Sequence, residues 1–265
     1  PFNQSGISSD FASTVATIDG TDYNVTDLPV SFWWDNDTTH TFAFQSLLVV
    51  TANAKQYVWT STTGLSTLQG GSIVASTSGS VTGNYKTQYY LTVISSYGVT
   101  NGTGWYDDSS TAYAGLNTGI VEHSNKTRRV FTHWSGDASG TNYAQSDPIN
   151  MDKPKTATAN WKTQYLLAVR TEPTCLIPQP TRNVSGDPDP YYRGWWYDVS
   201  THVSLTAPDV SFWNSAQYNF ANWNIDGNNV TGNPYTVHMD KPHEAIAYYK
   251  GKPPVGGITV PINKP

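Results

Sequence analysis

Asp152-Lys-Pro-Lys-Thr-Ala-Thr-Ala-Asn-Trp-Lys162 is written again, little changed, as Asp240-Lys-Pro-His-Glu-Ala-Ile-Ala-Tyr-Tyr-Lys250, and a fainter copy closes on Asn84-Tyr85-Lys86. Self-similarity at this spacing marks an array of modules. Within the copies apolar residues fall on alternate positions. Ala157, Ala159 and Trp161 share one face, as do Ala245, Ala247 and Tyr249, and Tyr89, Leu91 and Val93 do the same in an upstream stretch. A period of two belongs to a pleated strand with one buried face.

The copies extend outward from these closing strands. His133-Trp134-Ser135-Gly136-Asp137 matches Asn222-Trp223-Asn224-Ile225-Asp226-Gly227, with Val58-Trp59-Thr60 in the corresponding place. Further upstream Gly104-Trp105-Tyr106-Asp107 matches Trp195-Trp196-Tyr197-Asp198, and Trp33-Trp34-Asp35 with Thr39-His40 echoes Trp195-Trp196 with Thr201-His202. Each copy therefore runs opening strand, Trp-Tyr-Asp strand, Trp-Gly-Asp hairpin, closing strand. The expected fold is all-β: three tandem β-sandwich-like, immunoglobulin-like modules in an elongated array, at 15–86, 87–162 and 163–250. Residues 1–14 and 251–265 are read as tails. Lys86-Thr-Gln-Tyr89 and Lys162-Thr-Gln-Tyr165 leave no linker between copies, so successive modules are expected to be stiffly coupled. The third copy is lengthened by 171–193, which holds Pro173, Pro178, Pro180, Pro188, Pro190 and Cys175. Proline removes ladder donors, so this insertion is expected to be a surface loop.

Composition agrees with strands. Aromatic residues and charged residues each make up 13% of the 265, the latter about half the usual share. Thr, Val, Tyr and Trp suit half-buried pleated surfaces and serve helices poorly. A net charge of −5 with scattered Lys and Arg offers no basic stripe, which argues against a nucleic-acid partner. No apolar run approaches the roughly 20 residues of a membrane helix, so no span is expected within this chain. The lone Cys175 rules out an intrachain disulfide.

Seven Asn-x-Ser/Thr sequons, at Asn3, Asn24, Asn36, Asn101, Asn125, Asn183 and Asn229, point to N-linked glycans and hence to the outside of a cell. The Trp134-Ser-Gly-Asp137 and Met151-Asp-Lys-Pro-Lys-Thr-Ala-Thr-Ala-Asn-Trp161 segments resemble the divergent B-repeats of internalin type, which occur in tandem on bacterial and archaeal surface proteins. The resemblance covers about two-thirds of the chain. It implies a cell-surface location and a modular β architecture, and it implies no catalytic residue. The stretch 253–263 is similar to a segment that precedes the C-terminal anchor of archaeal surface proteins.

Chemistry is sparse. None of the six histidines has a His-x-x-x-His or Cys partner at ligand spacing, and His40 and His202 are read as equivalent positions with a packing role. Asp35-Asn36-Asp37, Asp107-Asp108 and Asp187-Pro188-Asp189 read as turns before they read as calcium loops. No nucleophile elbow or phosphate loop occurs. No enzyme activity, metal or cofactor is therefore expected. Trp59, Trp134 and Trp223, like Trp34, Trp105 and Trp196, recur at module spacing as core anchors do. Trp33 and Trp195 sit beside them on the opposite strand face, and with Tyr191 and Tyr192 they form a candidate platform for sugar rings.

The expected function is that of an extracellular glycosylated structural protein: a subunit of a surface filament or sheath, or a stalk. Self-association into a homopolymer could proceed by strand donation, with 1–14 or the Ile258, Val260 and Ile262 stretch as candidate donors. An adhesin or carbohydrate-binding array is the alternative, and an accessory region of a secreted hydrolase a further one.

Overall fold

The computed structural model describes residues 1–191 and 194–251. Among them there is no helix, and so none long and apolar enough to cross a membrane. The chain divides into two compact units. Pro1–Gly119 with Phe131–Asn160 forms the first, and Ile120–Val130 with the chain from Trp161 onward forms the second.

In the first unit the strand Val81–Ile94 is the axis. It pairs antiparallel with Lys55–Gly64, which in turn pairs with Leu47–Thr51. A second sheet runs Thr21–Tyr23, Ala16–Ile18, Thr39–Phe44, Gly70–Val74. Both sheets supply one core, in which Ile18, Phe42 and Phe44 meet Leu48, Tyr57, Val81 and Tyr85. The alternation read from the sequence does this: in Val81–Ile94 the odd positions Val81, Tyr85, Leu91 and Val93 are buried. Tyr57 is fully buried, and its hydroxyl donates to Asp10 Oδ1 at 2.6 Å and accepts from Ser8 N–H at 3.1 Å. Val81–Ile94 also contains Lys86-Thr-Gln-Tyr89, so the end of the first repeat and the start of the second are one unbroken strand.

In the second unit His243–Gly251 lies between Ala216–Ile225, antiparallel, and the residues of Lys155–Glu172 from Leu167 on, parallel. Thr181–Arg182, His202–Thr206 and Tyr235–His238 form a three-stranded sheet. Trp223, Leu167, Val203, Leu205, Met239, Ala245 and Ala247 fill the core between them.

One register recurs three times. Phe2 lies opposite Val81, Val93 opposite Ala157 and Val169 opposite Ala245, each in a parallel pair. Val81, Ala157 and Ala245 each stand five residues before the closing lysine. Phe2–Ser5 is therefore the opening strand of the first repeat. Residues 1–14 are not a tail outside the repeats: Phe2, Ile7 and Phe11 are buried in the first core. Their spacing draws the segment in, and the candidate donor strand at this end is seated in its own chain. The other candidate donors, Ile258, Val260 and Ile262, lie outside the described residues.

The Pro-rich insertion 171–193 keeps most of its described residues at the surface, with Leu176 among its prolines fully buried in the second core and Ile177 bridging Phe212. One further expectation is corrected: the tryptophans divide differently. Trp134, Trp196 and Trp223 are buried, whereas Trp34, Trp59 and Trp105 are only half-buried.

Candidate functional site

Each unit contains the same polar clamp where a repeat ends. In the first, Lys86 Nζ lies 2.8 Å from Asp107 Oδ1, and Gln88 Nε2 donates to the same oxygen at 2.8 Å. Gln88 Oε1 accepts from Gln56 Nε2 at 2.7 Å. In the second, Lys162 Nζ lies 2.9 Å from Asp198 Oδ1, Gln164 Nε2 donates to it at 2.7 Å, and Gln164 Oε1 accepts from Arg128 Nε at 2.7 Å. Strand register produces this: Gln88 faces Asp107 and Gln164 faces Asp198 across antiparallel ladders, with each lysine on the same face two residues before its glutamine. The Lys86 ammonium and Gln88 amide hold the Asp107 carboxyl below its ordinary value. Burial pushes the Asp198 carboxyl up, and Gln164 with Lys162 more than reverse it.

The clamp carries an apolar cover. Trp105 stands opposite Tyr90 with ring centroids 5.1 Å apart, edge to face. Trp196 stands opposite Leu166, is 2% exposed, and lies under the Arg128 guanidinium at 4.8 Å. Arg128 is held by Asp187 at 2.7 Å.

A like turn follows each of Asp35, Asp107 and Asp198. Thr38 N–H donates to Asp35 O at 3.3 Å, Ser110 to Asp107 O at 3.0 Å and Thr201 to Asp198 O at 3.1 Å. The third turn residue has positive φ in every case: 66° at Asp37, 62° at Ser109 and 68° at Ser200. The residues that directly follow Gly70–Val74, Ile149–Asn150 and Tyr235–His238, namely Ala75, Met151 and Met239, pin the respective turns through paired backbone bonds. Aligned on these turns, Trp33 corresponds to Trp105 and Trp196, and Trp34 to Tyr106 and Tyr197. In sequence Trp34 lines up with Trp105 and Trp196 because the first repeat lacks one residue of the Trp-Trp-Tyr-Asp run. By the same alignment His40 corresponds to Val203, so His40 and His202 are not equivalent. His40 stacks under Trp34 at 3.7 Å and bonds Asp19 through Nδ1 at 2.7 Å.

The platform residues are divided between the two units. Trp33 is 100% exposed and lines a groove of about 440 Å³ with Phe2, Phe32, Trp34, Asn36 and Val81 in the first unit. Trp195 belongs to the second, where the Arg182 guanidinium sits 3.2 Å from its ring centroid and covers that face. Tyr191 is exposed, and Tyr192 lies outside the described residues. Among the sequon residues Asn36, Asn101, Asn125, Asn183 and Asn229 are exposed, and Asn3 and Asn24 are partly covered. Asn125 occupies the tip of the hairpin between Ile120–His123 and Thr127–Gly136.

The repeated Asp of the Trp-Gly-Asp hairpin is structural. Asp137 and Asp226 each accept a backbone N–H of the closing strand, from Thr156 at 2.8 Å and Glu244 at 2.9 Å. A basic residue beside each completes the tie: Lys155 reaches Asp152 at 2.9 Å, and His243 lies 2.7 Å from Asp226 and 3.0 Å from Asp240. Among the described residues no three His, Cys, Asp or Glu side chains are arranged to hold a metal ion.

No family model, curated protein or solved structure matches the chain. The clamp was not anticipated from the sequence. Its signal was present in the shared Lys-Thr-Gln-Tyr junctions and in the Asp that ends each Trp-Tyr run.

Proposed function

We propose that this chain is an extracellular, glycosylated structural protein, a subunit of a cell-surface filament, sheath or stalk, built from three tandem sandwich-like modules of the B-repeat kind. The observation that carries the reading is the twofold repetition of the clamp at Lys86 and Lys162. A device that fixes each repeat's last strand to the next repeat's Trp-Tyr-Asp strand serves mechanical continuity and performs no chemistry. Five exposed sequons support an outward-facing, sugar-coated surface low in charge.

Electron microscopy of the native material, with mass spectrometry of the glycopeptides around Asn36, Asn125, Asn183 and Asn229, tests this. Ordered polymers or stalks with occupied sequons are the expected result. Unmodified asparagines on a chain retained inside the cell would overturn it. The adhesin reading keeps one observation of its own, the bare Trp33 ring beside its groove. Glycan-array binding abolished by Trp33→Ala would favour it, and an array without hits would discard it.

A further inference from the structure

The three repeats share one register, yet the clamp is closed only twice. The closing lysines are Lys86, Lys162 and Lys250, and the aspartates that end the Trp runs are Asp35, Asp107 and Asp198. Lys86 holds Asp107, and Lys162 holds Asp198. Asp35 and Lys250 are left over. Both are exposed, and among the described residues neither side chain has a partner. The backbone turn that begins at Asp35 is pinned as the turns at Asp107 and Asp198 are.

The apolar half of the junction is unfilled in the same place. Trp105 and Trp196 are covered by the strand opposite them, at Tyr90 and Leu166, while their counterpart Trp33 is fully bare. In the closed junctions the hairpin of the preceding repeat adds a second layer. The carbonyls of Ala54 and Lys126 accept from Tyr90 N–H at 3.0 Å and Leu166 N–H at 3.2 Å, and Gln56 and Arg128 complete the glutamine contact. The corresponding hairpin of the third repeat joins Val210–Trp213 to Ala216–Ile225, and there Phe212 and Trp213 are each 47% exposed. The first unit thus presents Trp33, a groove and Asp35. The second presents Lys250 and a hairpin tip with two open aromatic rings.

We propose that these surfaces bind each other between two copies of the chain, head to tail. Lys250 of one copy takes Asp35 of the next, and the Phe212–Trp213 tip covers Trp33, rebuilding between molecules the junction found twice within one. Such a contact is heterologous, so each copy retains a free head and a free tail, and growth continues unless the ring closes. The inference rests on the structural reading above and supplies its polymer contact.

The test is sedimentation velocity of the full chain over a concentration series, with Asp35→Lys, Lys250→Glu, the double variant and Trp33→Ala. Wild type should associate with concentration. Each single reversal replaces an attraction with a repulsion and should weaken association about fivefold or more, while the double variant, which restores opposite charges, recovers it. Trp33→Ala should weaken association without lowering the melting temperature, since its ring packs against nothing in the isolated chain. A wild type that stays monomeric throughout, or association indifferent to the reversals, or a double variant no better than the singles, would each overturn the junction. Native polymers whose formation ignores these variants would sink the junction and leave the filament reading standing. A reversible charge-swap effect in a chain that proves to be intracellular would do the opposite.

Discussion

Truncating Phe2 to alanine tests whether the N-terminal strand belongs to the first core or merely rests on it. Phe2 is 2% exposed, with Phe32 and Trp34 at 6.1 Å and Phe42 at 5.7 Å between ring centroids. Its N–H donates to Val30 O at 2.8 Å and its carbonyl accepts from Val30 N–H at 3.0 Å. Removing a buried phenyl ring costs about 3–5 kcal/mol where the cavity cannot collapse. Here the site lies beside an open groove, so neighbours can settle into part of the space, and about 3 kcal/mol is the expected loss. For a chain of this size each kcal/mol lowers the melting temperature by about 2–4 °C, which gives a drop of about 6–12 °C in calorimetry. Phe2→Leu, which keeps most of the volume, should lose less than half as much. A drop under about 2 °C for Phe2→Ala would refute the reasoning. It would mean that the four-residue strand is scarcely docked, and would return 1–14 to the role of an exchangeable donor.

The remaining predictions concern the core and its polar ties. Trp134 Nε1 donates to Asn142 O at 3.0 Å, while Trp223 Nε1 is buried with no hydrogen-bond partner among the described residues; Trp134→Phe should therefore destabilise more than Trp223→Phe, by about 1 kcal/mol in chemical denaturation. Gly6 has φ 95°, and a Cβ there would lie 2.0 Å from Tyr85 O, so Gly6→Ala should cost at least about 2 kcal/mol and release the opening strand to proteolysis. Asp107, Asp198 and Asp226 have folded-state values held below the unfolded 3.8, by Lys86, by Gln164 with Lys162, and by Glu244 N–H with His243 against the upward push of burial in the last two. Their contribution is complete above that value and is lost as pH falls through the folded values. Thermal stability should accordingly decline below about pH 4, and the decline should be shallower in an Asp107→Asn, Asp198→Asn double variant.

Local signals were legible in the sequence where the physics is local. Alternation in 89–94 and in the two closing strands placed Leu91, Val93, Ala157, Ala245 and Ala247 on the buried face, where they lie. The direct run from Lys86 to Tyr89 announced a strand without a linker, and Val81–Ile94 is that strand. The opening strand of the first repeat was hidden because its partner Val81 is 79 residues away in a parallel pair, and nothing in Phe2-Asn-Gln-Ser5 resembles its counterpart Val169-Arg-Thr-Glu172. The pairing is set by tertiary register, which residue resemblance does not report. The Trp33 and Trp34 match went astray for a related reason: adjacent tryptophans align equally well in two frames, and only the turn after Asp35 decides between them. Prolines made 171–193 look like an excursion, and Leu176, one apolar residue among them, was too brief a signal to reveal an anchor. The clamp required knowing which residues stand across the ladder from one another, which a one-dimensional reading cannot supply.

The parallel alignment of opening and closing strands bears on how a repeat responds to being pulled. Tension enters at the beginning of one strand and leaves at the far end of its neighbour, so the two are drawn lengthwise past each other. The ladder of four positions at Phe2–Ser5, four at 91–94 and six at 167–172 then resists in shear. Its bonds must give way together, whereas an antiparallel hairpin opened from its mouth surrenders them one by one. A thread made of such repeats would extend abruptly at high force rather than creep at low force.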